Sequence, residues 1–174
     1  MQGVLLRVDN LFDTVLQTVA DWNPKEKYST EREYRDDLLD FLQKNLNSES
    51  NTFSSAIWGL EHSGYHCIKK EAGRSLADIG IDDEVGIELK RNLKRKGQIN
   101  RLVGQVVDYL SGYSCVIIVL CGDAEQEAVS ILKYNLKKIL KSFSSPFDEQ
   151  KFVTIVIKCK IQKTRKPKNV IAIQ

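Results

Sequence analysis

Two carboxylates and an amine that could act together lie in the stretch Leu76-Ala-Asp-Ile-Gly-Ile-Asp-Asp-Glu-Val-Gly-Ile-Glu-Leu-Lys90. Two short alternating runs flank an acidic turn, the pattern of a β-hairpin. Side chains alternate between the faces of a strand. Val85, Ile87 and Leu89 therefore share one face, and Glu88 and Lys90 the other. On the first run Ala77, Ile79 and Ile81 share a face, and Asp78 points away from them. If Asp82, Asp83 and Glu84 form the loop, Ile81 lies opposite Val85 and Asp78 opposite Glu88. Cross-strand neighbours have Cβ atoms about 5 Å apart. Two carboxylates so placed repel unless a cation lies between them, and hard oxygen ligands suit Mg²⁺ or Mn²⁺. Lys90, one pleat on, adds an ammonium. Such a group suits phosphodiester hydrolysis: the ion polarises the phosphate and acidifies a bound water, and the ammonium stabilises or orients the attacking species. A solvated hairpin with a charged outer face would carry the same residues, so the weight falls on the rest of the chain.

The elements around the hairpin must bring further polar groups to it. Upstream, Thr30 with Glu33 makes a capping box that starts a helix near residue 29. Tyr34, Leu38, Leu39, Phe41, Leu42 and Leu46 form its apolar stripe, with Glu31 at the stripe's N-terminal end and Glu33, Asp36 and Asp37 outside it. An inward-facing acid needs a partner, and an ion shared with Asp78 and Glu88 would supply one; Glu31 would also favour the helix N-terminus without one. Downstream, the basic connection Arg91–Arg101 leads into a helix over roughly 98–111. Ile99, Leu102, Val103, Val106, Val107 and Leu110 form its buried stripe, and Gln98, Arg101, Gln105 and Tyr109 line one edge. Gln105 and Tyr109 are adjacent at i,i+4. A phosphate-bearing substrate could border that edge; an ordinary amphipathic helix beside a solvated loop would read the same.

Taken together, these residues resemble the PD-(D/E)XK nuclease superfamily, with its restriction-endonuclease-like α/β fold. The motif reads Ala77-Asp78…Glu88-Leu89-Lys90, with Ala77 in place of the usual proline. Glu31-Arg-Glu-Tyr is similar to the Glu-Arg-Glu-Leu start of archaeal Holliday-junction resolvases. Ser63-Gly-Tyr-His-Cys67 resembles the family's Gly-aromatic approach to its first core strand, and Gln105-Val-Val-Asp-Tyr109 resembles the QxxxY motif of RecB-like nucleases. The likeness spans roughly residues 29–121 and mixes two branches, which leaves the subfamily open. It implies a four-stranded mixed central sheet flanked by helices and Mg²⁺- or Mn²⁺-dependent cleavage of DNA. Glu31, Asp78, Glu88 and the backbone carbonyl of Leu89 would hold the ion, Lys90 would be the catalytic lysine, and Gln105 and Tyr109 would support the site. Arg74, Arg91, Lys94, Arg95, Lys96 and Arg101 would contact nucleic acid. A non-catalytic DNA-binding or assembly module on the same scaffold, and a nuclease acting on RNA, are the alternatives. The first of these would be expected to lack an acid or the lysine, and the chain has them all.

The remaining elements read as one domain: an N-terminal helical extension over 1–28, the motif-bearing core over 29–121, and a C-terminal helix and strand over 122–174. Val4, Leu5, Val8, Leu11, Phe12, Val15, Leu16 and Val19 follow helical spacing up to Pro24; this helix would pack on the core or pair with a second subunit. Asn47–Thr52 is a polar linker. Ser114–Cys121 is a continuous apolar run, expected of a strand buried on both faces. A helix over about 124–142 follows, with Ala128, Ile131, Leu132, Leu136, Ile139 and Leu140 inward, then a strand over Lys151–Cys159 and an edge strand over Val170–Ile173.

The chain has 174 residues, 42% hydrophobic and 28% charged, with a formal net charge of +3. That composition is globular, and positive charge gathers at Arg91–Arg101, Lys133–Lys141 and Lys158–Lys168. The four cysteines, Cys67, Cys115, Cys121 and Cys159, form neither CxxC nor a zinc spacing, which reads as a reduced cytoplasmic protein. His62 and His66 are i,i+4 but make a poor ligand pair, because Gly64 sits between them where a strand should begin. Arg7, Asp9 and Asp13 interrupt any signal-peptide core, and no run has the length of a membrane span.

Overall fold

The computed structural model of the chain describes residues 11–47, 65–72, 77–143, 151–158, 160–161 and 170–173. Arg74, His62, Cys159, the Ser63-Gly64 pair and the polar stretch after Asn47 lie outside the described residues.

Helix α1 (Leu11–Asp21) precedes α2 (Glu31–Leu46). The capping box forms as expected: the Thr30 hydroxyl accepts from the Glu33 amide, and the Glu33 carboxylate accepts from the Thr30 amide at 2.8 Å. Strands β1 (Ile68–Ala72), β2 (Ala77–Ile81) and β3 (Val85–Arg91) follow in an antiparallel meander. Helix α3 (Lys96–Tyr109) crosses from β3 to the parallel strand β4 (Cys115–Cys121). The short β5 (Asp123–Ala124) and helix α4 (Gln126–Phe143) lead on to β6 (Phe152–Ile157), parallel to β4. β7 (Lys160–Ile161) pairs with β5, and β8 (Val170–Ile173) runs antiparallel along β6. The central sheet is six-stranded and mixed, in the order β1-β2-β3-β4-β6-β8, wider than the four strands the resemblance implies.

Helices cover both faces of this sheet. Val15 and Val19 of α1, Trp22, and Leu38 and Leu42 of α2 pack on Ile79, Ile81, Ile87, Leu89, Ile117 and Val119. Leu102 and Val106 of α3 and Leu132 and Leu136 of α4 pack on Val116, Ile118 and Leu120. Every residue of β4 is buried, which is why its apolar run is continuous rather than alternating. The N-terminal helix thus spends Val15 and Val19 on the core of its own chain. Its predicted stripe residues Val4, Leu5 and Val8 lie outside the described residues.

The hairpin has the register read from the sequence: Ile81 pairs with Val85 and Ile79 with Ile87. Its turn is made by aspartates rather than glycines. Asp82 and Asp83 take φ of 51° and 55°, and the Glu84 amide donates to the Ile81 carbonyl at 3.0 Å. Positive φ at both central positions is the type I′ signature, and Asp tolerates it. The Asp82 carboxylate also accepts from the Cys67 amide at 2.7 Å and pairs with His66 Nδ1 at 2.6 Å. Gly86 does a different job: a Cβ there would lie 2.8 Å from the Tyr113 ring packed across it.

Two helix starts differ from expectation. α3 begins at Lys96 because the Gln98 side chain folds back to accept from the Lys94 and Arg95 amides at 3.1 and 2.9 Å. α4 begins at Gln126 because Asp123 and Ala124 are used in β5. Asp37, expected outside the apolar stripe of α2, is buried and held by Lys25 Nζ at 2.9 Å. Among the described residues no helix is long and apolar enough to cross a membrane.

Candidate active site

The hairpin end remote from the turn carries the polar side chains. Glu88 and Lys90 leave β3 on the face opposite Val85, Ile87 and Leu89, as pleating requires. Glu88 is 2% exposed, yet both its oxygens are satisfied. Lys90 Nζ lies 2.8 Å from Oε1, and the Tyr109 hydroxyl donates to Oε2 at 2.9 Å. Tyr109 in turn accepts from Gln105 Nε2 at 3.3 Å, so the two α3 residues act as one unit on Glu88. The other Gln105 atom, Oε1, is buried without a hydrogen-bond partner among the described residues.

Glu31, in the first turn of α2, reaches the same place: its Oε2 lies 3.2 Å from Lys90 Nζ. The lysine therefore bridges an acid from the helix and an acid from the strand. Burial alone would lower the pKa of this amine, but Glu88 and then Glu31 more than offset it, and the net shift is upward. Lys90 is accordingly an ammonium at neutral pH, a charge donor rather than a base.

Asp78 stands on β2 beside Glu88. The ladder register would place the two directly opposite, and hydrogen-bonded pairing stops just short of them. There the Asp78 carboxylate turns to accept from the Leu89 amide at 2.8 Å. Burial and then the Glu88 charge raise its pKa from the ordinary 3.8 to about 6. The Leu89 amide, Lys90 and Arg35 pull the other way without cancelling that rise. Arg35, a residue the helical pattern did not single out, is 7% exposed. Its Nη1 lies 2.8 Å from Glu71 and 3.9 Å from Asp78, and its Nε 3.3 Å from Asp36. Its one sequence signal is a position one helical turn beyond Glu31.

Glu31, Asp78, Glu88, Lys90, Gln105 and Tyr109 therefore come from four elements to one place, but not in every respect as read. Among the described residues no three carboxylate, histidine or cysteine side chains stand together as a ready metal-holding group. Lys90 bridges Glu31 and Glu88, at 3.2 and 2.8 Å, with Asp78 alongside Glu88. Tyr109, expected to contact nucleic acid, is 2% exposed and is committed to Glu88. The tie observed at Leu89 is its amide, on Asp78. Arg91 is half-buried, its Nε donating to the Tyr28 carbonyl at 3.2 Å, whereas Lys94, Arg95, Lys96 and Arg101 are exposed.

The donor set still fits one hard cation in part. Asp78 is half-buried and Glu88 buried, a cation would relieve their mutual repulsion, and Gln105 Oε1 is an oxygen acceptor without a partner among the described residues in the same cluster. No protein family, curated protein or solved structure matches this chain, so the functional argument stands on this geometry.

Proposed function

We propose that the chain is a divalent-metal-dependent nuclease on a restriction-endonuclease-like sheet, related to the PD-(D/E)XK superfamily and acting on DNA in the cytoplasm. One observation carries the reading. A protonated lysine at 2.8 Å from a buried glutamate sits beside a second carboxylate whose pKa is raised to about 6. Structural ion pairs settle charges; this one leaves an excess of negative charge among Glu31, Asp78 and Glu88, which favours a divalent cation, and the phosphate would then be drawn by the cation and the Lys90 ammonium.

Asp78 and Glu88 would hold the ion, with Glu31 and Gln105 lining the same place. Bound there, Mg²⁺ or Mn²⁺ would polarise the scissile phosphate and supply a nucleophilic water at neutral pH. Lys90 contributes an ammonium that stabilises charge developing on the phosphate. Tyr109 and Gln105 fix the rotamer of Glu88, and the Leu89 amide fixes that of Asp78. The free thiols of Cys67, Cys115 and Cys121 suit a reducing compartment.

The test is incubation with labelled linear, circular, flapped and four-way DNAs, and with matching RNAs, in Mg²⁺ or Mn²⁺ against EDTA. Cleavage that needs the ion and disappears in Glu88→Ala and Lys90→Ala, with folding and binding retained, is the expected result. Cleavage at the wild-type rate in either variant rejects the assignment. The lysine bridge itself favours a second reading, a non-catalytic nucleic-acid-binding module. Binding without cleavage in both metals would select it.

A further inference from the structure

The net charge of +3 conceals a strong polarity across the sheet. Residues 11–46, which form the α1–α2 layer, carry eight acidic and five basic side chains. On the other side, residues 94–109 and 126–143, which form α3 with its cap and α4, carry eight basic and two acidic ones. The basic layer is concentrated on α4. Its inner row is Ala128, Leu132, Leu136 and Leu140, all buried. Its outer face carries Tyr134, Lys137, Lys138 and Lys141, all exposed, with Lys133 at the flank. The one acid of the helix, Glu127, lies in the first turn, about 10 Å along the axis from Tyr134.

Two features separate this face from an ordinary solvated one. Lys25, Lys27, Lys69 and Lys70 each pair with a carboxylate within 4.0 Å; the four α4 lysines, like Lys44, Lys94 and Lys96, do not among the described residues, and only on α4 do four such lysines share one helix. At the centre of the lysines stands Tyr134, 69% exposed, one of only two large hydrophobic side chains so exposed among the described residues. Lys133, Lys137 and Lys141 recur every fourth residue, about 6 Å apart along the axis, a spacing comparable to that of successive phosphates on one strand.

We infer that the outer face of α4 binds single-stranded nucleic acid: the lysines take the phosphates and the Tyr134 ring takes a base. A row of ammonium groups without carboxylate partners among the described residues complements a polyanion, and an exposed aromatic among them offers stacking that every base can use. The inference stands on charge distribution and on Tyr134, independently of the carboxylate site.

Fluorescence anisotropy with a labelled oligothymidine in EDTA tests it, over a series of salt concentrations. Lys137→Gln with Lys138→Gln and Lys141→Gln should reduce the slope of log affinity against log salt by roughly 2. Tyr134→Ala should weaken binding about tenfold with the slope unchanged, and Tyr134→Phe should restore it. All these positions are exposed, so circular dichroism should show wild-type folding. An unchanged slope in the lysine variant, a Tyr134→Phe protein as weak as Tyr134→Ala, or capture by anionic lipid vesicles but not by oligothymidine would overturn the inference. Metal-dependent cleavage by wild type and by the α4 variants is measured alongside as a separate readout. Lost cleavage with intact α4 binding bears on the carboxylate site alone, and the converse on α4 alone.

Discussion

Replacing Asp78 by asparagine should make the protein more stable, although it removes a residue of the candidate active site. Asp78 is three-quarters withdrawn from solvent and beside Glu88, and its pKa stands at about 6 rather than 3.8. An acid whose folded pKa exceeds its unfolded one is held more easily as the neutral form. Between those values the folded state binds the proton and the unfolded state does not, so stability falls as pH rises. Above about pH 6 the cost of the ionised group is fully expressed, and the gap between the two values corresponds to about 3 kcal/mol at most. Asparagine carries no charge and keeps an oxygen to accept from the Leu89 amide, now at 2.8 Å. Urea unfolding above about pH 7 should therefore show Asp78→Asn more stable than wild type by roughly 1–3 kcal/mol, and the difference should shrink towards pH 5. Acids remote from the site cancel in the difference, which therefore reports the burial of Asp78 together with its repulsion from Glu88. Saturating Mn²⁺ should reverse the order by stabilising wild type alone. A variant less stable than wild type above pH 7 without metal, or a difference that does not change with pH, would refute the reasoning.

Tyr109→Phe removes the phenol from buried Glu88 and the acceptor from Gln105, and should cost about 1–2 kcal/mol in urea unfolding. Because Lys90 still holds Glu88, the variant should fold and lose activity only partly. Gly86→Ala forces a methyl to within 2.8 Å of the buried Tyr113 ring, and should cost about 1–3 kcal/mol. A Tyr113→Ala background should absorb most of that penalty in a double-mutant cycle.

What the sequence made legible was local or periodic. The hairpin register followed from two alternating runs and the length between them, and it placed Asp78 beside Glu88. The capping box fixed the start of α2, and with it Glu31. What stayed hidden depended on tertiary approach. Arg35 and Asp37 look like solvent-facing charges on a helical wheel, yet Glu71 of β1 and Lys25 of the α1–α2 connection draw both inward. Tyr109 sits at the edge of its apolar stripe, where a wheel cannot tell a substrate-facing ring from one buried on Glu88. Gly80 and Gly86 flank the turn from within the strands, and the left-handed positions fall to Asp82 and Asp83, which the spacing of the acidic loop did not reveal. The lysine bridge was equally out of reach, because spacing brings Lys90 near the acids without saying which oxygens it takes.

The central claim is that Asp78 and Glu88 together attract a divalent cation beside the Lys90 ammonium. Anomalous diffraction from a crystal soaked in Mn²⁺ tests it directly. A peak within coordination distance of an Asp78 and a Glu88 oxygen, with Lys90 adjacent, is the predicted result. A saturated soak with no peak there, and the lysine bridge intact, would contradict it.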